Sequence, residues 1–163
     1  VWRPTDRITM SLDGRYTTQD VWLLHRGGTS FATYDANQWS PSLGVDYFVN
    51  AKQHLRLAVQ WVAIRAKENL RYELLIPGSP LPADENSRVS VGSNFTISRL
   101  NVQLRYRRVI APLSDLFVVY TQNASLPSST DRLGFASMFS ETFDNPLAEQ
   151  LVVKLSYRFG SLT

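Results

Sequence analysis

The most regular alternation of apolar and polar residues in this chain lies near its C-terminus, in residues 150–159. The alternate apolar positions are Leu151, Val153, Leu155, Tyr157 and Phe159. The residues between them are polar, apart from Val152. A period of two over ten residues predicts a β-strand with one apolar and one polar face. About ten residues is also the length of a tilted strand that crosses a lipid bilayer.

Patterns of the same kind predict six further strands. They cover residues 7–16, 20–26, 39–49, 53–66, 96–108 and 115–122. Strand 96–108 is the most regular of the six, because hydrophobic residues from Leu100 to Tyr106 alternate with polar or basic residues. The facing of strand 115–122 stays open, since its sequence DLFVVYTQ is apolar at successive positions.

The predicted connections alternate between short and long. Residues 17–19, 50–52 and 111–114 are read as turns, and residues 27–38, 67–95 and 123–149 as long loops. Strand extensions through Phe31 and Tyr34 stay open as an alternative within residues 27–38. Transmembrane barrels have short turns at one end and long loops at the other. Single-chain bacterial barrels also have an even number of strands, whereas seven are predicted here. We therefore expect an all-β fold: the C-terminal portion of a larger antiparallel up-and-down transmembrane β-barrel, completed by strands before Val1 or from a separate chain.

Composition narrows the other classes. The 163 residues suit one domain, residues 1–163, and there is no cysteine for disulfides or thiolate metal sites. The mean hydropathy of −0.18 is ordinary for a soluble protein, but polar lumen residues lower the average of a membrane barrel in the same way. No run of 18 apolar residues predicts a transmembrane helix. The net charge of +3, without a dense basic run, does not indicate nucleic-acid binding.

Two resemblances support an outer-membrane interpretation. The alternating segment that reaches Phe159 resembles the C-terminal assembly signal of bacterial outer-membrane barrels, although Gly160 to Thr163 follow the aromatic residue that usually ends the chain. The stretches TYDANQWSPSLGVDYFVNAKQHLRLAVQWVAIRA, LNVQLRYRRVIAPLSDLFVVYTQN and LVVKLSYRF resemble the C-terminal region of a bacterial outer-membrane family of unknown function. Its members join an N-terminal domain similar to a family 9 carbohydrate-binding module to a C-terminal β-barrel. The resemblance implies no catalytic residues.

Basic residues dominate the predicted polar face. The predicted lumen-facing basic track consists of Arg56, Arg99, Arg105, Arg107, Lys154 and Arg158, and Arg7 and Arg15 share the same face. Only Asp13 and Asp46 are acidic there. Rings of arginine favour anions in a pore. Alternatively, the cations pair with acids on strands outside this chain or on a plug, because enclosed charges need partners. Both interpretations stay open.

Catalysis, cofactors and metal sites are not predicted. His25 and His54 lie on different strands, and no GxSxG motif accompanies them. The acidic loop residues Asp84, Glu85, Asp131, Glu141, Asp144 and Glu149 lack EF-hand spacing and are read as solvated charge rather than Ca²⁺ ligands. Phe135, Phe139 and Phe143 recur every four residues and predict a helical turn that could fold into the lumen as a plug.

The sequence therefore predicts a non-enzymatic protein of the bacterial outer membrane. We expect a role in envelope transport or surface binding, with carbohydrate or an anionic polymer as the candidate ligand. The expected partners are outer-membrane lipid, the barrel-assembly machinery and the completing strands, without nucleic acid. Two alternatives remain open: a soluble ligand-binding β-barrel or sandwich with its apolar face inward, and an outer-membrane hydrolase that uses a histidine.

Overall fold

The computed structural model describes residues 1–76, 79–82, 94–128 and 134–159. It consists of one antiparallel β-sheet and one α-helix. The strands are β1 Trp2–Thr5, β2 Ile8–Gly27, β3 Ser30–Asn50, β4 Gln53–Ile76, β5 Ser79–Pro82, β6 Phe95–Ala111, β7 Ser114–Ser128 and β8 Pro146–Ser156, and the helix α1 is Phe135–Asp144. The predicted all-β class and antiparallel pairing are confirmed.

Strands that follow one another in sequence are neighbours in the sheet. The order is β1-β2-β3-β4-β6-β7-β8, and β5 pairs only with β4. Three two-residue connections, residues 6–7, 51–52 and 112–113, lie at one end of the sheet, which we call the turn end. The β4–β6 connection and the connection that carries α1 lie at the opposite, loop end. From β3 to β8, the prediction that short connections lie at one end and long connections at the other is confirmed.

The N-terminal half corrects two predictions. Residues 17–19 do not form a turn but lie inside β2, paired with β3. Residues 27–38 are not a long loop, because a tight hairpin at Gly27 and Gly28 leads directly into β3. Both glycines have a positive φ, which this hairpin requires and glycine adopts at little cost. The polar residues 17–19 were read as a strand break, although threonine favours strands.

The predicted loop 67–95 is also shorter than expected. β4 continues to Ile76, since the extended β3 supplies a ladder partner for its polar residues, as in the Ser30–Glu73 pair. Within the predicted loop, β5 pairs with β4, and residues 77–78 and 83–93 lie outside the described residues. The closing strand β8 begins four residues before the predicted segment 150–159 and ends at Ser156.

Apolar side chains share one face of the sheet in three successive rows across six strands. The first row from the turn end contains Ile8, Tyr47, Leu55, Tyr106, Val118 and Val153. The second contains Met10, Val45, Leu57, Leu104, Tyr120 and Leu151, and the third Leu12, Leu43, Val59, Val102, Gln122 and Glu149. We call this the apolar face, and its opposite the polar face. The register thus assigns the facing of β7.

Helix α1 packs on the apolar face near the loop end. Met138 is fully buried against Trp61, Ala63, Leu100 and Ala124. The predicted helix through residues 135–143 is confirmed, but its predicted position on the polar face is wrong. The small side chains beside Trp61 leave a recess on the apolar face that Met138 fills, whereas Phe139 and Phe143 remain exposed.

A hydroxyl network fastens α1 to the sheet. Ser98 on β6 accepts hydrogen bonds from Trp61 Nε1 at 2.8 Å and from Thr142 Oγ1 at 2.6 Å. Gln122 Nε2 donates to the carbonyl oxygen of Phe143 at 3.0 Å. All of these side chains except Phe143 are buried, so the polar groups on this part of the apolar face find partners when the helix is in place.

A second apolar cluster lies on the polar face at the loop end. Its buried members are Ala32, Tyr34, Ala36 and Ala66, with Trp22, Leu24, Ile64 and Phe95 packed against them. The sheet therefore has protein contacts on both faces at the loop end. Nearer the turn end, only one face is apolar.

The sheet is open within the part of the chain that the structure describes. β1 and β8 form its two edges and do not pair with each other. Every residue of β8 is exposed. Among the described residues, no helix is long and apolar enough to span a membrane.

Candidate functional site

The polar face places four of the six predicted track residues in two neighbouring rows near the turn end. One row contains Phe48, His54, Arg107, Phe117 and Lys154, and the next contains Thr9, Asp46, Arg56, Arg105, Val119 and Val152. We call Arg56, Arg105, Arg107 and Lys154 the basic belt. Arg56 lies on β4, Arg105 and Arg107 lie on the adjacent β6, and Lys154 lies on β8, with β7 between β6 and β8.

The other two track residues lie apart from the belt. Arg99 precedes Arg105 by six residues on β6, a distance of about 20 Å at the rise of an antiparallel strand. Asn101 and Gln103 occupy the positions between them on the same face. Arg158 follows the end of β8, and its backbone N–H donates to the Ser114 hydroxyl at 3.1 Å. The predicted track is thus divided into two levels.

One member of the belt has a well-formed carboxylate partner. Arg107 Nε and Nη2 each lie 3.2 Å from an oxygen of Asp115, in a bidentate arrangement. The guanidinium group also lies 5.7 Å from the centre of the Phe117 ring. Asp115 was not among the acids predicted for this face. The two-residue turn 112–113 between β6 and β7 brings Asp115 within reach of Arg107. This turn is the feature of the sequence from which the ion pair could have been predicted.

Asp46 serves a second, looser cluster. Its Oδ1 lies 2.9 Å from His54 Nε2 and 3.9 Å from Arg56 Nε. The His54 ring stacks on Phe48, with centroids 4.4 Å apart and planes inclined by 9°. Asp46 therefore contacts the imidazole at hydrogen-bond distance, whereas its contact with Arg56 is an ion pair longer than a hydrogen bond.

Four track residues have no carboxylate partner in the described parts of the chain. They are all exposed and make no salt bridge with a described residue: Arg99, Arg105, Lys154 and Arg158. The belt contains four cations, and two carboxylates contact it. The polar face at this level therefore carries an excess of positive charge, with guanidinium groups free to accept an anion.

Uncharged polar residues fill the rows between the two basic levels. Asn101 Nδ2 donates to Asn123 Oδ1 at 2.5 Å, and Gln103 Nε2 lies 3.5 Å from Thr121 Oγ1. A shallow pocket of about 340 Å³ lies on the loop-end side of these rows. It is lined by Gln60, Val62, Arg99, Leu100, Asn101, Asn123, Ala124, Ser125 and Leu147.

The two histidines lie at opposite ends of the sheet. His25 Nε2 contacts the carbonyl oxygen of Gly28 at 3.0 Å at the loop end, whereas His54 lies near the turn end. In the described residues, no serine or threonine hydroxyl is hydrogen-bonded to either imidazole.

Three of the six acidic loop residues lie in the described parts of the chain. Glu141, Asp144 and Glu149 are exposed, and the described parts of the chain contain no group of three His, Cys, Asp or Glu residues that could hold a metal ion. Asp84, Glu85 and Asp131 lie outside the described residues.

The predicted assembly signal lies at the edge of the sheet. The exposed fractions of Leu151, Val153 and Leu155 are 66%, 61% and 61%. Tyr157 and Phe159 follow the ladder and contact each other edge to face, with ring centroids 4.8 Å apart. This geometry leaves the whole apolar side of the closing strand accessible to lipid or protein.

The Arg107–Asp115 pair is predicted to contribute little to stability. Because Arg107 is 52% exposed, Arg107→Gln should lower the free energy of unfolding by at most about 1 kcal/mol. Urea denaturation of both single variants and of the double variant with Asp115→Asn isolates the pair energy. A coupling well above that value would contradict a solvent-screened interaction.

Comparison with protein families identifies the chain. A family model described as "Domain of unknown function (DUF5916)" matches residues 3–159. The chain belongs to this family. No curated protein and no solved structure matches it. The description of the DUF5916 domain specifies neither a ligand nor a location, so the function of this domain has to be inferred from its two faces.

Proposed function

We propose that the DUF5916 domain forms part of the wall of a bacterial outer-membrane β-barrel. The apolar face contacts lipid, and the polar face lines the lumen. The completed protein acts in envelope transport or in surface binding of a solute, with anionic molecules, including acidic carbohydrate, as the favoured class. Its expected partners are the membrane, the barrel-assembly machinery and the strands that complete the barrel.

The observation that carries this proposal is the exposed apolar face. Its first three rows contain one charged residue, Glu149, whose carboxylate accepts a hydrogen bond from Tyr120 at 2.6 Å. Leu12, Leu104, Leu151 and Val153 are all at least 37% exposed. Soluble monomers rarely expose so extensive a contiguous apolar surface.

The length of the apolar face matches that of a membrane-crossing strand. From Ile8 to Tyr16, the face covers nine residues of β2, and a tilted transmembrane strand needs about 9–11 residues. Tyr47 and Tyr106 lie in the first row, and Tyr16 and Trp39 pair across the strands at the other limit. Aromatic girdles flank the lipid-facing band of membrane barrels in the same way.

The open edges support the requirement for further strands. Unpaired backbone groups are not tolerated in the hydrocarbon region, and both β1 and β8 have a free side within the described chain. We expect residues 1–163 alone to associate into heterogeneous oligomers in detergent. A monodisperse, heat-modifiable monomer in size-exclusion chromatography and electrophoresis would contradict this requirement.

One observation favours a soluble ligand-binding barrel or sandwich as the second candidate. Helix α1 covers Leu100, which is only 3% exposed, on the same face that is proposed to meet lipid. In a soluble fold, further protein would cover the remaining rows in the same way. In the membrane arrangement, α1 takes the place of lipid over the loop-end rows of the band, because Ala63 and Ser98 beneath it lie in the same row as Tyr16 and Trp39.

Site-specific labels distinguish the two candidates. The chain has no cysteine, so Val102→Cys and Gln103→Cys each give one attachment site, on the apolar and polar faces respectively. In the intact protein reconstituted in liposomes, a fluorophore at position 102 should be quenched by lipid-attached nitroxide. The matched label at position 103 should respond to an aqueous quencher instead.

The opposite pattern would overturn the proposed orientation. Protection of position 102 from both quenchers, in a protein that stays soluble without detergent, would support the second candidate.

A further inference from the structure

Two arginines on the polar face lie directly opposite each other. Arg56 on β4 and Arg105 on β6 are Cα partners in the ladder, and neighbouring strands are about 4.8 Å apart. Like charges in this position destabilise a sheet. Both side chains are exposed, and the pairing is an electrostatic cost that an anion would remove.

The neighbouring carboxylates do not remove this cost. Asp115 makes a bidentate contact with Arg107. Asp46 lies at 2.9 Å from His54 but 3.9 Å from Arg56. No described acidic side chain forms a salt bridge with Arg105. In the Arg56–Arg105 pair, Arg105 thus has no described carboxylate partner, and Arg56 shares Asp46 with His54.

We propose that Arg56 and Arg105 together bind an oxyanion group, phosphate or carboxylate. A guanidinium group presents planar paired donors that match two oxygens of such a group. Gln103 precedes Arg105 by one step on the same face and supplies an amide beside the site. The inference rests on the proposed function only in taking the polar face to line a lumen that the solute can enter.

The chain provides a matched control for the two arginines. Arg108 is exposed and lies near the turn end of β6, but its side chain belongs to the opposite face. Arg108→Gln removes the same charge from the same strand. A general electrostatic attraction responds equally to Arg105→Gln and Arg108→Gln, whereas a site responds only to the former.

Calorimetric titration of the intact, detergent-solubilised protein tests the proposal. Inorganic phosphate and citrate are titrated at low salt, with glycerol as the uncharged reference. Arg56→Gln and Arg105→Gln should each weaken anion binding roughly tenfold or more, the effect of losing charge-assisted hydrogen bonds. Arg105→Lys should restore part of the affinity, because it keeps the charge but not the fork. Binding of citrate without phosphate would assign the site to carboxylates, and the reverse would assign it to phosphates.

Two results would overturn the inference: no saturable anion binding by the unsubstituted protein, or equal losses in the Arg105→Gln and Arg108→Gln variants. Thermal unfolding without ligand excludes misfolding as the cause. Arg105→Gln should leave the melting temperature unchanged or raise it, since it removes a like-charge neighbour. Liposome flotation separately tests the membrane proposal. If Arg56→Gln or Arg105→Gln floats normally but binds anions as tightly as the unsubstituted protein, the proposed anion site is contradicted and the membrane proposal is not.

Discussion

Val153→Arg is expected to impair assembly of the protein into membranes. Val153 lies in the first row of the apolar face, the row of Tyr47 and Tyr106, and is 61% exposed on the edge strand β8. An arginine that faces lipid costs about 2–4 kcal/mol at the bilayer midplane and less toward the interface, where this aromatic row lies in the proposed orientation. We expect a reduced yield of the heat-modifiable, membrane-integrated form in urea-washed outer-membrane fractions, with the unassembled chain degraded.

Val152→Arg is the control for this prediction. Val152 is the preceding residue on β8, starts from the same side chain and is 44% exposed, but it faces the polar side in the row of Arg56 and Arg105. An arginine there remains hydrated and should permit assembly, with a modest loss from charge repulsion. Equal assembly of the two variants, or a greater defect in Val152→Arg, would refute the assigned orientation.

Met138→Ala should release helix α1 from the sheet. The Met138 side chain is fully buried between α1 and the residues around Trp61. Truncation of a buried methionine to alanine typically costs about 2–5 kcal/mol. The effect should concentrate on α1, because β6 and β7 retain their ladder. Hydrogen exchange of the α1 amides should accelerate strongly, while exchange in β6 stays slow.

Ser140→Ala serves as the reference, since Ser140 is exposed on the same helix. Its exchange pattern should match that of the unsubstituted protein. Uniform acceleration throughout the sheet in Met138→Ala would mean that α1 is part of one cooperative unit rather than a separately docked element.

The alternation of side chains was sufficient to predict the two faces wherever the apolar rows continue. In strands 96–108 and 150–159, one face is apolar and the other polar, so the residue type at each position predicts the face of the sheet on which its side chain lies. The basic belt followed from the same pattern. Its division from Arg99 could be read from the intervening Asn101 and Gln103, but its ion pair with Asp115 required the register across the turn.

Prediction failed at the loop end for a physical reason. There, α1 packs on one face and the cluster around Tyr34 on the other, so the strands no longer alternate between an apolar and a polar environment. β2 and β3 also continue through polar residues, because each provides the other with a ladder partner irrespective of hydropathy. The position of α1 depended on the recess beside Trp61, a tertiary feature that residue spacing does not encode.

The distribution of the connections also has a consequence for the time course of folding. Tight turns join β2 to β3, β3 to β4 and β6 to β7, so these pairs close loops of only a few residues. The β4–β6 and β7–β8 ladders instead wait for longer segments to close, which carries a greater entropic cost. We expect β2–β4 and β6–β7 to gain protection first in pulse-labelled hydrogen exchange, and β8 last. Under the proposed function, the β8 edge would thus be the last to order and would be available during membrane insertion to whichever strand completes the wall.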